Sequence, residues 1–188
     1  MQLYALCDQS TLDTKKISLE AFVELCRQHD AQIIQYRSKD QDFDLIKAQL
    51  VRLRELWEKT LIINDALQLH AYCDGVHLGQ EDLVKVDIDP AYAIEKVRKM
   101  IGSEKMIGLS THNLEEIQTA NFLDLDYIGL GAYRATNTKE DAAPLQDKLD
   151  DLAAHSRHPV AAIGGVRFDD TFENVTYRVV SSALYRGE

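Results

Sequence analysis

Eight short apolar or β-branched runs, most of them followed by an amphipathic stretch, constrain what this chain can fold into. The runs fall near residues 2–7, 31–36, 60–63, 74–78, 106–110, 126–130, 159–163 and 177–181. Between them, 18–29, 42–58, 88–101, 113–121 and 145–154 carry apolar residues at helical spacing, as Leu45, Ala48, Leu53 and Leu56 do. The segment from Asn113 opens with a capping box in all but the identity of its cap, with Glu116 at the third helical position. Strand and helix alternating in this order force a parallel sheet, and eight such units permit closure. The expected fold is α/β, a TIM (β/α)8 barrel formed by residues 1–188 as a single domain. An open doubly wound sheet is the alternative. No GxGxxG follows the first strand and no GxxxxGK[ST] occurs, so the nucleotide-binding forms of that sheet lose their usual support. The closing quarter is thin. Gly165 to Tyr177 leaves room for one turn of helix, and Ser182 to Glu188 cannot build a full one, so the C-terminal helices are expected to be shortened or missing. The last face of the barrel would then be solvent-exposed or covered by a second subunit, which makes a homodimer through the 182–188 tail and the first strand an expectation.

The strand ends carry the chemistry. Gln35, Arg37 and Lys39 follow the second run, Asn64 and Asp65 the third, and Glu81 and Asp82 lie just beyond the fourth. Ser110 and His112 end the fifth, Thr136, Asn137, Thr138 and Lys139 lie in the loop after the sixth, Gly165 follows the seventh, and Val180 and Ser181 end the eighth. Cations, amides, carboxylates and hydroxyls gathered at strand C-termini suit an α/β-barrel site that holds a diphosphate and a metal ion. Each motif also has a plainer reading. Arg37 and Lys39 can be a solvated pair opening a helix, although cations there oppose the helix dipole. Asn64-Asp65 can cap a helix, and His112 can simply open one. His77, between Val76 and Leu78, reads as a hydrogen-bonded core or rim residue, and Glu81 as solvent-facing. His29, His70, His155 and His158 have no partner in sequence and receive no role.

Net charge narrows the partners. With 21 basic and 31 acidic residues the chain carries −10, which argues against a nucleic-acid or anionic-membrane surface and requires any anionic substrate to find a local basic pocket. Cys7, Cys26 and Cys73 form neither a CxxC pair nor an even set, so no disulfide framework or structural zinc is indicated and the cytoplasm is the expected compartment. The chain opens directly on strand-like residues, and no apolar run approaches the ~18 residues of a membrane span. A soluble, unprocessed protein is expected.

Taken in order, Gln35-x-Arg37-x-Lys39, Asn64-Asp65, the stretch Gly75 to Asp82, Gly108-x-Ser110-x-His112, Asp126 to Gly131, Thr136-x-Thr138-Lys139, Ala162 to Gly165 and Val179 to Ala183 resemble thiamine phosphate synthase over nearly the whole chain. The sister family, thiazole tautomerase, shares the barrel and much of the pattern. The resemblance implies a TIM barrel that joins 4-amino-2-methyl-5-hydroxymethylpyrimidine diphosphate to a thiazole phosphate, releasing diphosphate and using Mg²⁺. The chain departs from the pattern at Gly131 to Ala135, where a Gly-Pro-aromatic-rich turn is usual and Arg134 adds a cation. It also has Ala66 in place of an arginine and Ser38 in place of a glutamate.

Ionising the pyrimidine from its diphosphate builds negative charge on the leaving group, which cations and Mg²⁺ stabilise. Arg37 can fork onto phosphate oxygens, with Lys39 on the same side of an extended segment as a point charge. Gln35 shares that side and can read a pyrimidine nitrogen or amine. Asp65 and Asp82 end neighbouring strands, and two carboxylates suffice for Mg²⁺. Asn64 and Ser110 are read as donors to diphosphate, Thr136, Asn137 and Thr138 as phosphate binders, and Lys139 as reaching the leaving group. Gly165, Val180 and Ser181 fall where barrels often build a phosphate site, here for the thiazole phosphate. A tautomerase would instead use His112 as proton carrier, and a non-catalytic precursor-binding or regulatory protein would keep the cavity without turnover.

Overall fold

The computed structural model of the chain describes residues 1–39, 42–135 and 144–185. Eight strands, β1 (Gln2–Asp8), β2 (Ile33–Arg37), β3 (Thr60–Asn64), β4 (Gly75–Leu78), β5 (Met106–Thr111), β6 (Tyr127–Leu130), β7 (Val160–Ala162) and β8 (Tyr177–Val180), close into a barrel in sequence order. Every pairing is parallel, including β8 back onto β1 through Tyr4 opposite Val179. Around it lie α1 (Gln9–Lys15), α2 (Leu19–Gln28), α3 (Phe43–Leu56), α4 (Gln80–Val86), α5 (Pro90–Ile101), α6 (Leu114–Ala120) and α7 (Lys148–Ala153), with 3-10 turns at Leu67–Tyr72 and Ser182–Tyr185. The TIM-barrel expectation holds.

Period-two alternation divides each strand between two cores. Tyr4 and Leu6 of β1, Ile33, Ile62, Tyr127, Ala161 and Val179 fill the barrel interior. Their neighbours Ala5, Cys7, Ile34, Ile63, Val76, Ile128 and Val180 face outward and pack beneath the helices. Side-chain caps start most helices: Ser18 for α2, Asp42 for α3, Asp89 ahead of Pro90 for α5, and Asn113, which accepts from the Glu116 amide, for α6. The three cysteines are buried and unpaired. No helix among the described residues is long and apolar enough to cross a membrane.

The thin C-terminal quarter is as short of helix as expected, but its predicted bare face is not there. Arg178, pointing outward from β8, donates to the carbonyls of Phe168 and Asp170 and so holds the β7–β8 connection against the barrel. The Ser182–Tyr185 turn buries Leu184 to 2 % exposure and sets Tyr185 against Phe22, 6.2 Å between ring centroids. Ala5, Cys7 and Val180 are fully covered by the chain's own elements. Apart from Met1 ahead of β1, the exposed large apolar side chains among the described residues lie on α3 (Phe43, Leu45, Val51) and around α4 to α6, where Ile88, Tyr92 and Phe122 are the most open. Within the described residues the bare face on which the expected homodimer contact was argued is thus largely covered, while residues 186–188 of the 182–188 tail lie outside them.

Candidate active site

The inward residues at the strand C-termini converge on the barrel mouth, and β1 contributes one that the sequence reading passed over. Asp8 ends β1 opposite Arg37 in the β1–β2 register. Its Oδ1 accepts from Ser10 Oγ (2.6 Å), Thr11 N (3.0 Å) and Thr11 Oγ1 (2.9 Å), which caps α1, while Oδ2 takes Arg37 Nη1 at 2.8 Å. Burial alone would raise this carboxyl, but the bonds from Ser10, Thr11 and Arg37 outweigh it and hold Asp8 below the usual carboxylate range. Arg37 is thus an oriented guanidinium with one nitrogen held on a carboxylate whose charged form is favoured, unlike a solvated surface cation. Lys39 stands exposed just beyond it.

Asp65 and Asp82 face each other, although only Asp65 follows its strand directly: Asp82 does not end β4 but is the third residue of α4. The ladder runs one residue past β3, with Asp65 N donating to His77 O at 2.9 Å. Asp65 then takes a left-handed φ of 61°, a conformation that aspartate and asparagine tolerate better than most residues. Its Oδ1 accepts the Gly79 amide at 3.2 Å, and Asn64 Nδ2 donates to its Oδ2. A Cβ on Gly79 would lie 3.1 Å from Asp82 Oδ2 and 4.0 Å from Asp65 Oδ1, so glycine keeps the space beside both carboxylates open. Withdrawal from water, and then the charge of Asp82, push the Asp65 carboxyl up to about 6. Neither aspartate caps a helix: the 3-10 turn after Ala66 and α4 after Gly79 both begin without a side-chain cap bond. Asp82 also pairs with Lys85 at 2.7 Å. Among the described residues no three His, Cys, Asp or Glu side chains converge. A two-carboxylate donor set suits a hard cation that completes its shell with phosphate oxygens and water, as Mg²⁺ does.

Below these charged groups a polar chain crosses the floor of the mouth. Tyr4 Oη donates to Gln35 Oε1 (2.7 Å) and Gln35 Nε2 to Asn64 Oδ1 (2.6 Å). In the other direction Tyr4 Oη meets Tyr127 Oη (2.9 Å), Tyr127 Oη meets His77 Nδ1 (2.9 Å), and His77 Nε2 meets Ser110 Oγ (3.0 Å). Gln80 Nε2 donates to the Ser110 carbonyl at 2.6 Å. Gln35, Asn64, Asp65 and Ser110 are therefore bonded into one assembly, and His77 is the hydrogen-bonded residue anticipated for it. Tyr4, Tyr127 and Gln80 were not singled out from sequence.

The remaining candidates lie elsewhere on the rim. Gly164 and Gly165 take positive φ of 86° and 73°, and a Cβ on Gly164 would sit 2.6 Å from Ala132 Cα, so the β6 and β7 loops touch backbone to backbone. Arg134, the added cation of the altered turn, forks onto Asp170 (2.6 Å from each nitrogen) and donates to Gly165 O at 2.7 Å. It latches the two loops together and lowers the Asp170 carboxyl. Val180 is buried and Ser181 half-buried at the end of β8. Thr136, Asn137, Thr138 and Lys139 lie outside the described residues. His112 is engaged by the start of α6, its Nδ1 2.9 Å and its backbone amide 2.8 Å from Glu116 Oε2. Glu81 is exposed, as expected.

Comparison with known proteins points the same way. Residues 3–187 match the family model for thiamine monophosphate synthase. The thiamine-phosphate synthase of Persephonella marina is 36% identical over 172 residues, covering 88% of this chain and 77% of that protein. That of Lawsonia intracellularis is 34% identical over 195 residues, covering 97% and 82%. Among solved structures, a thiamine phosphate pyrophosphorylase from Pyrococcus furiosus superposes with a TM-score of 0.76 at 27% identity, covering 97% of this chain and 86% of that one. With the family model spanning almost the whole chain and relatives above 30% identity aligned over most of it, the chain belongs to the thiamine monophosphate synthase family.

Proposed function

We propose that this chain, as a single barrel domain, is an Mg²⁺-dependent thiamine phosphate synthase: a transferase that couples hydroxymethylpyrimidine diphosphate to a thiazole phosphate and releases diphosphate. The observation that carries this reading is the Asp65–Asp82 pair beside Asn64, one strand from the Asp8-oriented Arg37. Asp65 and Asp82 would hold Mg²⁺, which when bound supplies positive charge to the departing diphosphate. Arg37 and Lys39 at the end of β2, with Lys139, add charge stabilisation that grows as the pyrimidine–oxygen bond breaks. Gln35, braced by Tyr4 and Asn64, faces the pyrimidine. Ser110 completes the far side of the mouth. Thr136, Asn137 and Thr138 bind phosphate, and the backbone of Gly165, Val180 and Ser181 takes the thiazole phosphate, where small residues let amides approach the oxygens. The substrates are small molecules, and the expected setting is cytoplasmic.

A thiazole tautomerase expels no diphosphate and so gives no chemical reason for the paired carboxylates. Incubating the protein with both substrates, with and without Mg²⁺, and measuring thiamine phosphate tests the proposal. Metal-dependent product formation is expected. Binding of both substrates without product would establish the non-catalytic alternative, and thiazole tautomerisation without coupling would establish the tautomerase.

A further inference from the structure

The polar chain across the barrel floor has a direction, and it follows from its Asp65 end. Asn64 turns Nδ2 toward Asp65 Oδ2 and offers Oδ1 to Gln35 Nε2. Gln35 therefore presents Oε1 to Tyr4, and the single hydroxyl proton of Tyr4 is used there. Burial drives both phenols well above their ordinary range, so each carries its proton. Tyr4 has no second proton to give, and the 2.9 Å contact with Tyr127 is donated by Tyr127. Tyr127 in turn accepts from His77, which places a proton on Nδ1. The other ring nitrogen, Nε2, lies 3.0 Å from Ser110 Oγ, whose hydroxyl proton continues the series in the same direction.

We infer that the substrate-free protein holds His77 as its Nδ1–H tautomer, and that Tyr4 and Tyr127 are positioning residues fixing it through a one-way series of hydrogen bonds from Ser110 to Asp65. Two strand glycines make the space for this series. A Cβ at Gly108 would lie 2.2 Å from Tyr127 Cζ, and one at Gly129 would lie 3.0 Å from His77 Cε1. The consequence for turnover rests on the synthase reading: the phenols hold the Asn64–Asp65 side and the Ser110 side of the mouth in a common geometry. Removing either hydroxyl should lower kcat about ten- to a hundredfold while KM changes little.

The decisive test needs no substrate. Long-range ¹H–¹⁵N correlation spectra of histidine-labelled protein report which ring nitrogen carries the proton. The His77 signals are identified by their loss in His77→Asn or, if that variant does not fold, by proximity to the Tyr127 ring. The parent should show Nδ1–H. In Tyr4→Phe the Tyr127 proton loses its acceptor and can be satisfied by donating to His77 Nδ1, which transfers the imidazole proton to Nε2. An unpaired buried donor is costly enough to move the tautomer ratio about tenfold or more. An Nε2–H or doubly protonated His77 in the parent, or an unchanged ratio in Tyr4→Phe, overturns the inference. The parent spectrum decides the direction even if Tyr4→Phe fails to fold. Absence of coupling activity would count against the synthase reading alone.

Discussion

Replacing Asp65 by asparagine should make the metal-free protein more stable while abolishing its response to Mg²⁺. The carboxyl sits at about 6 against an ordinary value of 3.8, because the mouth desolvates it and Asp82 repels it. Fully expressed, that elevation corresponds to about 3 kcal/mol of unfavourable charge at neutral pH. Asp65 is exposed at the mouth, so solvent screening reduces the figure to about 1 kcal/mol. Asparagine keeps the left-handed φ and an oxygen for the Gly79 amide. Its amide nitrogen then faces Asn64, however, so the Asn64 and Gln35 amides must turn over together to keep their bonds, which their end-for-end shape permits. For a chain of this length, about 1 kcal/mol raises Tm by about 2–4 °C. The sign with pH follows from linkage: between about 4 and 6 the folded state holds a proton that the unfolded chain has released, so the parent loses stability as pH rises through that window. The gap between Asp65→Asn and the parent should therefore be widest above pH 6 and close toward pH 4. Thermal denaturation in chelator and in millimolar Mg²⁺ measures both effects. A variant that melts lower than the parent in chelator, or that is stabilised by Mg²⁺ as much as the parent, refutes the assignment of Asp65 as a repelled metal ligand.

Turnover should fall by orders of magnitude in Asp65→Asn and Asp82→Asn with the fold intact, as read by steady-state kinetics beside circular dichroism. Arg37→Ala, Lys39→Ala and Lys139→Ala should each lower kcat, and a change confined to KM in all three would mark them as uniform binding residues. Asp8→Asn should lower kcat about tenfold in the parent but change little in an Arg37→Ala background, because its effect passes through the guanidinium. An equal loss in both backgrounds in that double-mutant cycle would reduce Asp8 to the cap of α1. His112→Asn should leave coupling within a modest factor of the parent, whereas a loss of ~10²–10⁴-fold would identify His112 as an acid or base.

The barrel was legible because its signal repeats. Each buried strand stands out locally, and the expected run at 31–36 or 177–181 forms as Ile33–Arg37 or Tyr177–Val180. The helices that escaped notice are those with almost nothing to bury: α1 covers only Leu12 and α4 only Leu83, so neither shows an apolar stripe. Asp65 and Asp82 were legible as a pair because consecutive strands of a barrel are neighbours, and order along the chain then becomes proximity at the rim.

What stayed hidden depended on register between strands, which no window of sequence contains. Asp8 looks like a helix cap, and it is one; its second bond, to Arg37, exists only because the β1–β2 register sets the two residues opposite each other. Tyr4 and Tyr127 look like core aromatics, and their rings are; their hydroxyls meet across 123 residues of chain because both strands turn these positions inward. Arg134 reads as a loss of the usual turn, yet its fork onto Asp170 replaces the missing rigidity with an ion pair between two loops. In each case a residue with an adequate local explanation acquires a second partner from a distant strand or loop. A barrel of inward-pointing strand ends multiplies such encounters, so the polar groups of its mouth are bonded mainly to one another, and the geometry of any one depends on several strands at once.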